Sequence, residues 1–265
     1  MNDSTSSLKT GYLLTDDGIP MACDMGGKGQ KLLLFIHGWT CRRKYWQAQL
    51  EGFKESWRVA APDLPGHGDT SAGNRQNLNI RALAKDVKAC AGAIASEQTV
   101  LIGHSMGGAV ALETAIIMGE RVRAVILVDT FVIDYGGLDN QTTHAIAAPF
   151  ETDFAEAMAA LIENTSTEAT PEHLRKCLIK EMSRANPDLV LPLWRDLLGW
   201  SPSAAFKALT IPIHAINGAL IPESARERCS PYLKETIIPG AGHFLHMENP
   251  GQFNLVLGQV LDRTG

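Results

Sequence analysis

The 265-residue sequence lacks a strong excess of charge of either sign, and it lacks an apolar run long enough to cross a membrane. Its formal net charge is −5, so electrostatics give no reason to expect nucleic acid or an anionic membrane as a partner. Residues 1–10 are polar and lack the apolar core of a secretion signal. We therefore expect a cytoplasmic protein whose partner is a small-molecule substrate, as a monomer or a homodimer.

The sequence also lacks the residue patterns of disulfide frameworks, metal centres and phosphate loops. Its five cysteines are widely spaced and form no C-x-x-C pair, which favours reduced thiols. There is no H-E-x-x-H motif and no clustered histidine spacing, so no metal is expected. No Gly-Lys-Ser or Gly-Lys-Thr follows a glycine-rich turn, and we expect no cofactor.

What the sequence does contain is a serine between two glycines, in Gly103-His104-Ser105-Met106-Gly107. An apolar run at residues 100–102 precedes this segment, and an alanine-rich helical pattern at residues 109–118 follows it. A serine on a tight strand-to-helix turn needs neighbours without a Cβ, because the chain passes close to itself there. The pattern G-x-S-x-G in this context predicts a nucleophile elbow that presents the Ser105 hydroxyl.

The rest of the chain alternates between strand and helix patterns. Residues 12–24 predict an opening hairpin, and residues 31–128 alternate buried strands with helices, which indicates a parallel sheet covered on both faces. A strand pattern resumes at residue 211, and an amphipathic helix closes the chain. We therefore predict one core domain from residues 1–129 and 210–265.

The alternation stops between residues 130 and 209. This stretch has helical patterns at 154–164, 171–183 and 187–198 but no clear strand. We interpret it as a helical lid inserted over the carboxyl edge of the sheet. A helix that is apolar on one side fits equally into a core, so the alternative is that these helices only complete the core.

A serine hydroxyl is a weak nucleophile at neutral pH and needs a base. Of the eight histidines, His243 directly follows the last predicted strand in a glycine-rich loop and comes late in the chain, as the order serine, acid, histidine requires. His243 is therefore our candidate for the base. His246 is the second candidate.

Four motifs together resemble the α/β-hydrolase fold superfamily: His37-Gly38-Trp39, residues 63–68, residues 103–108 and Gly242-His243-Phe244. The resemblance covers residues 31–129 and the chain from residue 211 onwards. It implies a mostly parallel eight-stranded sheet, and an oxyanion hole made by the backbone N–H groups of Trp39 and Met106.

The same resemblance bears on substrate contacts. We expect the side chains of Trp39 and Met106 to line the pocket, and we expect Phe131, Trp194 and Phe244 to contact the substrate. Specificity then depends on the insertion, where the resemblance ends.

The position of the catalytic acid in the chain differs from the commoner pattern of the superfamily. In most members it follows the next-to-last strand, but here that segment, residues 217–222, contains no carboxylate. Asp129 ends the strand after the elbow helix, where a minority of the superfamily places the acid. We favour Asp129 over Glu223, which is the first carboxylate after residue 222 and lies at a predicted helix start. Asp129 has a second interpretation as a cap of the first lid helix.

These residues predict a serine hydrolase that cleaves a small or medium carboxylic ester, lactone or related acyl compound through an acyl-enzyme. The serine at position 105 excludes the aspartate nucleophile of the dehalogenases and epoxide hydrolases of this fold. Two alternatives stay open, because a scaffold does not determine its chemistry. One is a cofactor-independent dioxygenase that uses a His/Asp dyad on a heteroaromatic substrate, and the other is a ligand receptor with feeble turnover.

A pair of arginines follows the His37-Gly38-Trp39 segment. Arg42 and Arg43 suggest a bidentate clamp for a substrate carboxylate. The alternative, which we favour, is two solvated arginines at a helix start.

Overall fold

A mixed eight-stranded sheet forms the centre of the computed structural model, which describes residues 7–264. The strands are β1 (Lys9–Leu14), β2 (Pro20–Gly26), β3 (Leu32–Ile36), β4 (Arg58–Pro62), β5 (Thr99–His104), β6 (Val122–Val128), β7 (Ile213–Asn217) and β8 (Lys234–Ile237). Their order in the sheet is β1-β2-β4-β3-β5-β6-β7-β8. Strand β2 is antiparallel to both of its neighbours, and strands β3 to β8 are parallel. The predicted fold class and the opening hairpin are confirmed.

Helices cover both faces of the sheet. They are α1 (Gln47–Phe53), α2 (Ile80–Ala93), α3 (Met106–Met118), α4 (Asn140–Thr152), α5 (Phe154–Asn164), α6 (Glu172–Met182), α7 (Pro187–Gly199), α8 (Ser203–Ala208), α9 (Glu223–Cys229), α10 (Leu245–Glu248) and α11 (Pro250–Thr264). Short 3-10 turns occupy Arg43–Trp46, Gly119–Arg121 and Thr130–Val132. The sequence patterns did not predict α4, α8 or α10. Helix α4 buries only Ala147 and Phe150 and contains Pro149, so its apolar period is weak.

The central strands are buried on both faces, which explains their continuous apolar sequences. Every residue of β3 and β5 is buried. Because alternate side chains of a strand point to opposite faces, Leu34 and Leu101 pack in the core beneath α2 and α3, whereas Phe35 and Ile102 pack in the core beneath α1 and α11. The sheet is thus a rigid platform whose carboxyl edge carries the loops described below.

Helices α4 to α8 lie between β6 and β7 in the chain, and we call residues 130–209 the cap. The cap packs on the loop that follows β3: the Trp39 ring stacks on Trp194 with 4.4 Å between centroids, and Trp39 Nε1 donates a hydrogen bond to the Val190 carbonyl at 2.8 Å. Residues 1–6 and residue 265, which we assigned to the core domain, lie outside the described residues.

Within residues 7–264, no helix is long and apolar enough to cross a membrane. In the same residues, no group of three histidine, cysteine, aspartate or glutamate side chains is placed to hold a metal ion.

Candidate active site

Ser105 lies on a strained turn between β5 and α3. Its backbone has φ 53° and ψ −123°, a region that residues with a side chain rarely adopt. The flanking glycines have no room for a side chain, because a Cβ on Gly103 would lie 2.1 Å from the Gly107 carbonyl oxygen and one on Gly107 would lie 2.3 Å from that of Ile36. The glycines of the motif are therefore a steric requirement of this turn.

His243 is paired with a buried carboxylate. Its Nδ1 lies 2.7 Å from Asp129 Oδ2, and Asp129 is fully buried. The second oxygen, Oδ1, accepts the Gly218 N–H at 2.7 Å. Because a carboxylate only accepts, Nδ1 of His243 carries the proton and Nε2 of the neutral ring is free to act as an acceptor. Asp129 and Gly218 thus set both the tautomer and the orientation of the imidazole.

Glu223, the alternative acid, has a different environment. It is the first residue of α9 and is exposed to solvent. Among the described residues its carboxylate makes no hydrogen bond to His243. The structure therefore brings Asp129, and not Glu223, to the histidine.

The remaining histidines near the site are buried and packed. His104 Nε2 lies 2.9 Å from the His243 carbonyl oxygen, so its N–H holds the loop that carries His243. Burial lowers the pKa of His104 well below its usual value. His246, the second candidate base, stacks on Trp46 at 4.2 Å, and burial lowers its pKa to about 3. His246 does not line the cavity that contains Ser105.

The loop after β3 passes directly beside Ser105. A Cβ on Gly38 would lie 3.2 Å from Ser105 Cβ. Within the described residues, the backbone N–H groups of Trp39 and Met106 donate to no other group. Met106 is the first residue of α3, so its N–H also lies at the positive end of the helix dipole. Two such donors beside a serine suit a developing oxyanion.

The cavity around Ser105 and His243 is small and apolar, with a volume of about 30 Å³. Trp39, Trp194 and Phe244, three of the residues expected to contact the substrate, line it. The other lining residues come mainly from the cap and were not predicted: Cys41, Val132, Ile133, Tyr135, Leu161, Ile162, Thr165 and Met182, together with His104. No local signal marks them, because only the folding of the cap over the sheet brings them together. Among residues 7–264, no lysine, arginine, aspartate or glutamate lines the cavity.

Two predicted substrate contacts lie elsewhere. The Met106 side chain is fully buried in the core and does not line the cavity. Phe131 lines a separate cavity between β7 and α9, where the Arg228 guanidinium lies 5.8 Å from its ring centroid. Residues that follow the elbow and β6 turn inward to pack, so proximity in sequence did not place their side chains at the serine.

The arginine pair does not face the serine either. Arg43 is buried and bonds to the carboxylate of Asp63, and it also reaches Asp24 at 3.2 Å and Asp69 at 2.7 Å. Arg42 lies 3.7 Å from Asp69, and neither arginine lines the cavity. The carboxylate clamp is therefore wrong for Arg43, because carboxylates of the chain itself already occupy its guanidinium. The description of Arg43 as a solvated side chain is wrong as well.

Comparison with known protein families gives a match over most of the chain. The profile of the Alpha/beta hydrolase family matches residues 33–254. Human Epoxide hydrolase 4 is 39% identical over 83 residues, which cover 31% of this chain and 23% of that protein. The chain thus spans less than a quarter of the length of that relative.

Solved structures are similar over nearly the whole chain. A bromoperoxidase from Bacillus anthracis has a TM-score of 0.82 at 20% identity, covering 97% of this chain and 100% of its own. A thermophilic esterase from Thermogutta terrifontis has a TM-score of 0.81 at 24% identity, covering 97% and 99% respectively. At these identities the structural likeness establishes the fold alone. With a family profile matched over more than 200 residues, a nucleophile-elbow turn and this sheet order, the chain belongs to the alpha/beta hydrolase family.

Proposed function

We propose that this protein is a serine hydrolase that cleaves a small or medium carboxylic ester, lactone or related acyl compound through an acyl-enzyme. The observation that carries the proposal is the 2.7 Å contact between His243 Nδ1 and Asp129 Oδ2, beside a cavity that Ser105 and His243 both line. This arrangement supplies a nucleophile, a base and an acid that orients the base.

In the proposed reaction, Nε2 of His243 removes the hydroxyl proton of Ser105 while Oγ attacks the carbonyl carbon. The oxyanion of the tetrahedral intermediate accepts hydrogen bonds from the N–H groups of Trp39 and Met106. Collapse expels the alcohol, which takes the proton from the imidazolium, and Asp129 stabilises that imidazolium while it exists. Water then repeats the sequence on the acyl-enzyme, with His243 again as the base, and releases the carboxylic acid and free Ser105.

The residue at position 105 favours acyl transfer over epoxide opening, although one relative is named as an epoxide hydrolase. A serine that opened an epoxide would form an ether. An ether has no carbonyl carbon, so water activated by His243 could not release it by addition and elimination.

The cavity supports a neutral, apolar acyl group. Its walls are aromatic and aliphatic, and a carboxylate placed there would lose hydration without gaining a cationic partner. A volume of about 30 Å³ holds only about two water molecules, so side chains that line the cavity must rearrange to admit an acyl group.

The test is hydrolysis of neutral p-nitrophenyl esters of increasing acyl length by the wild-type protein and by Ser105→Ala. We expect a burst of nitrophenol and labelling by a fluorophosphonate in the wild type, and loss of both in the variant. Equal labelling of the variant would refute Ser105 as the nucleophile. Oxygen consumption with a heteroaromatic substrate, or tight ligand binding without turnover, would favour the two alternatives.

A further inference from the structure

A single carboxylate joins the loop that carries His243 to a turn of the cap. Glu248 Oε2 accepts the Gly242 N–H at 2.8 Å, and Glu248 Oε1 accepts the Thr170 hydroxyl at 3.0 Å. The oxygen of Thr170 in turn accepts the Thr167 N–H at 3.0 Å, which fixes the direction of the hydroxyl. Both carboxylate oxygens of Glu248 therefore have a partner, one on each side of the boundary between cap and core.

The same two segments are joined by direct contacts. The His243 N–H donates to the Thr165 carbonyl at 2.9 Å. The Thr167 hydroxyl donates to the Gly240 carbonyl at 2.7 Å. The cap thus holds the backbone of the histidine loop at Gly240 and at His243, on either side of Gly242, and we call residues 165–170 together with Glu248 the clasp.

The clasp fits closely around Gly242. A Cβ at this position would lie 2.6 Å from Glu248 Oε1, 2.8 Å from Thr170 Oγ1 and 3.1 Å from the Thr165 carbonyl oxygen. Thr165 and Thr170 are buried, so water does not readily replace their hydrogen bonds. The loop therefore has little freedom to shift while the clasp is intact.

The clasp matters for the proposed chemistry because Asp129 alone does not fix the place of the imidazole. Asp129 orients the ring through Nδ1, whereas the backbone of His243 is set by Thr165 at its N–H and by His104 at its carbonyl oxygen. Movement of that backbone by about 1 Å would change the position of Nε2 relative to Ser105, and misplacements of this size cost about 100-fold in rate.

We propose that Glu248 and Thr170 are positioning residues for His243, so that the cap is part of the apparatus that aligns the base. This inference rests on the proposed function for its kinetic readout. The contacts that carry it do not depend on the identity of the substrate.

The first pair of variants is Glu248→Ala and Glu248→Gln. Glu248→Ala removes both hydrogen bonds, and we expect kcat to fall about 10- to 100-fold with KM changed by less than about twofold. Glu248→Gln keeps an oxygen for the Gly242 N–H but turns an NH2 donor toward the Thr170 hydroxyl, so only part of kcat is expected to return. Wild-type kcat in Glu248→Ala would overturn the clasp.

A second pair of variants tests the residue that the cap contributes, Thr170, and remains informative if Glu248→Ala does not fold. Thr170→Val removes the hydroxyl at nearly constant volume and is expected to lower kcat several-fold, and Thr170→Ser should restore it. Glu163→Ala is the matched control, since the Glu163 carboxylate pairs with Arg175 at 3.2 Å and is half exposed. Wild-type kcat in Thr170→Val, or an equal loss in Glu163→Ala, would contradict the proposal.

A spectroscopic readout separates failure of the clasp from failure of the proposed function. The proton between His243 Nδ1 and Asp129 is expected to give a sharp downfield NMR signal in the wild type, broadened by exchange in Glu248→Ala and unchanged in Glu163→Ala. If the wild type hydrolyses no ester but the signal behaves in this way, the proposed function fails and the clasp stands. If the wild type is active and the signal is equally sharp in all three proteins, the clasp fails.

Discussion

Nδ1 of His243 lies 2.7 Å from Oδ2 of Asp129, a residue that follows β6 and not β7. Strand β6 lies between β5 and β7 in the sheet. Since neighbouring strands are about 4.8 Å apart, Asp129 is one strand away from Ser105 and one strand away from Gly218. The segment after β7 then supplies the Gly218 N–H to the free carboxylate oxygen.

Two variants, each of which replaces a carboxylate by its amide, show whether Asp129 or Glu223 is the catalytic acid. Asp129→Asn is expected to lower kcat by about four orders of magnitude, because an amide cannot stabilise the imidazolium and favours the wrong tautomer. Glu223→Gln should change kcat by less than about twofold. Steady-state kinetics measures kcat of both variants, and circular dichroism checks that they are folded. A near-native kcat in Asp129→Asn would show that Asp129 is not the catalytic acid.

Gly218 is expected to tolerate no side chain. A Cβ there would lie 2.5 Å from the Ala241 carbonyl oxygen and 2.7 Å from that of Gly242, so Gly218→Ala must displace the histidine loop. We expect a lower Tm and a lower kcat. Gly258→Ala is the control, because nothing lies within 4 Å of its added Cβ and alanine stabilises a helix interior by up to about 1 kcal/mol. Equal effects of the two substitutions would contradict the steric argument.

Acid should destabilise the protein through its buried histidines. Burial lowers the pKa of His37 to about 4 and the pKa values of His67 and His246 to about 3, and it also lowers the pKa of His104. Above pH 6.5 these rings are neutral in both states, so they contribute nothing to the pH dependence. Between about pH 6.5 and pH 4 only the unfolded chain takes up these protons, so each ring lowers the free energy of unfolding by up to about 1.4 kcal/mol per pH unit as the pH falls.

Urea unfolding between pH 7.5 and pH 5 measures this slope. His246→Phe should reduce the number of protons taken up on unfolding by about one, and so reduce the slope, since it removes one buried ring that stays neutral in the folded state at these pH values. A wild-type stability that is constant across this range would contradict the prediction.

The stack of Trp39 on Trp194 predicts how the cap selects acyl groups. Trp194→Ala removes one wall of the cavity, so longer acyl chains should gain in kcat/KM relative to acetyl esters. The free energy of unfolding should fall by about 3 to 5 kcal/mol, because a large buried ring is lost. Trp200→Phe is the control, since Trp200 bonds to Glu113 and does not line the cavity. An unchanged chain-length profile in Trp194→Ala would exclude Trp194 from specificity.

Local steric and periodic constraints determined what the sequence could predict. Neighbouring residues determine the turn at Ser105, because Gly103 and Gly107 must lack a Cβ for the chain to pass so close to itself. The buried strands are equally local, since a strand covered on both faces requires a continuous apolar run. Even the choice of Asp129 followed from its place at the end of the strand next to β5.

Only the tertiary structure decided which side chains surround the serine and what holds the base. Leu161 and Met182 reach the cavity through the packing of α5 and α6, and no pattern in either helix distinguishes a cavity-lining residue from a core residue. Thr170 and Glu248 are 78 positions apart, so no motif could join them. Phe131 turned toward β7 because packing there is decided by partners distant in sequence. Contacts of this kind depend on three-dimensional complementarity, which residue spacing along the chain does not encode.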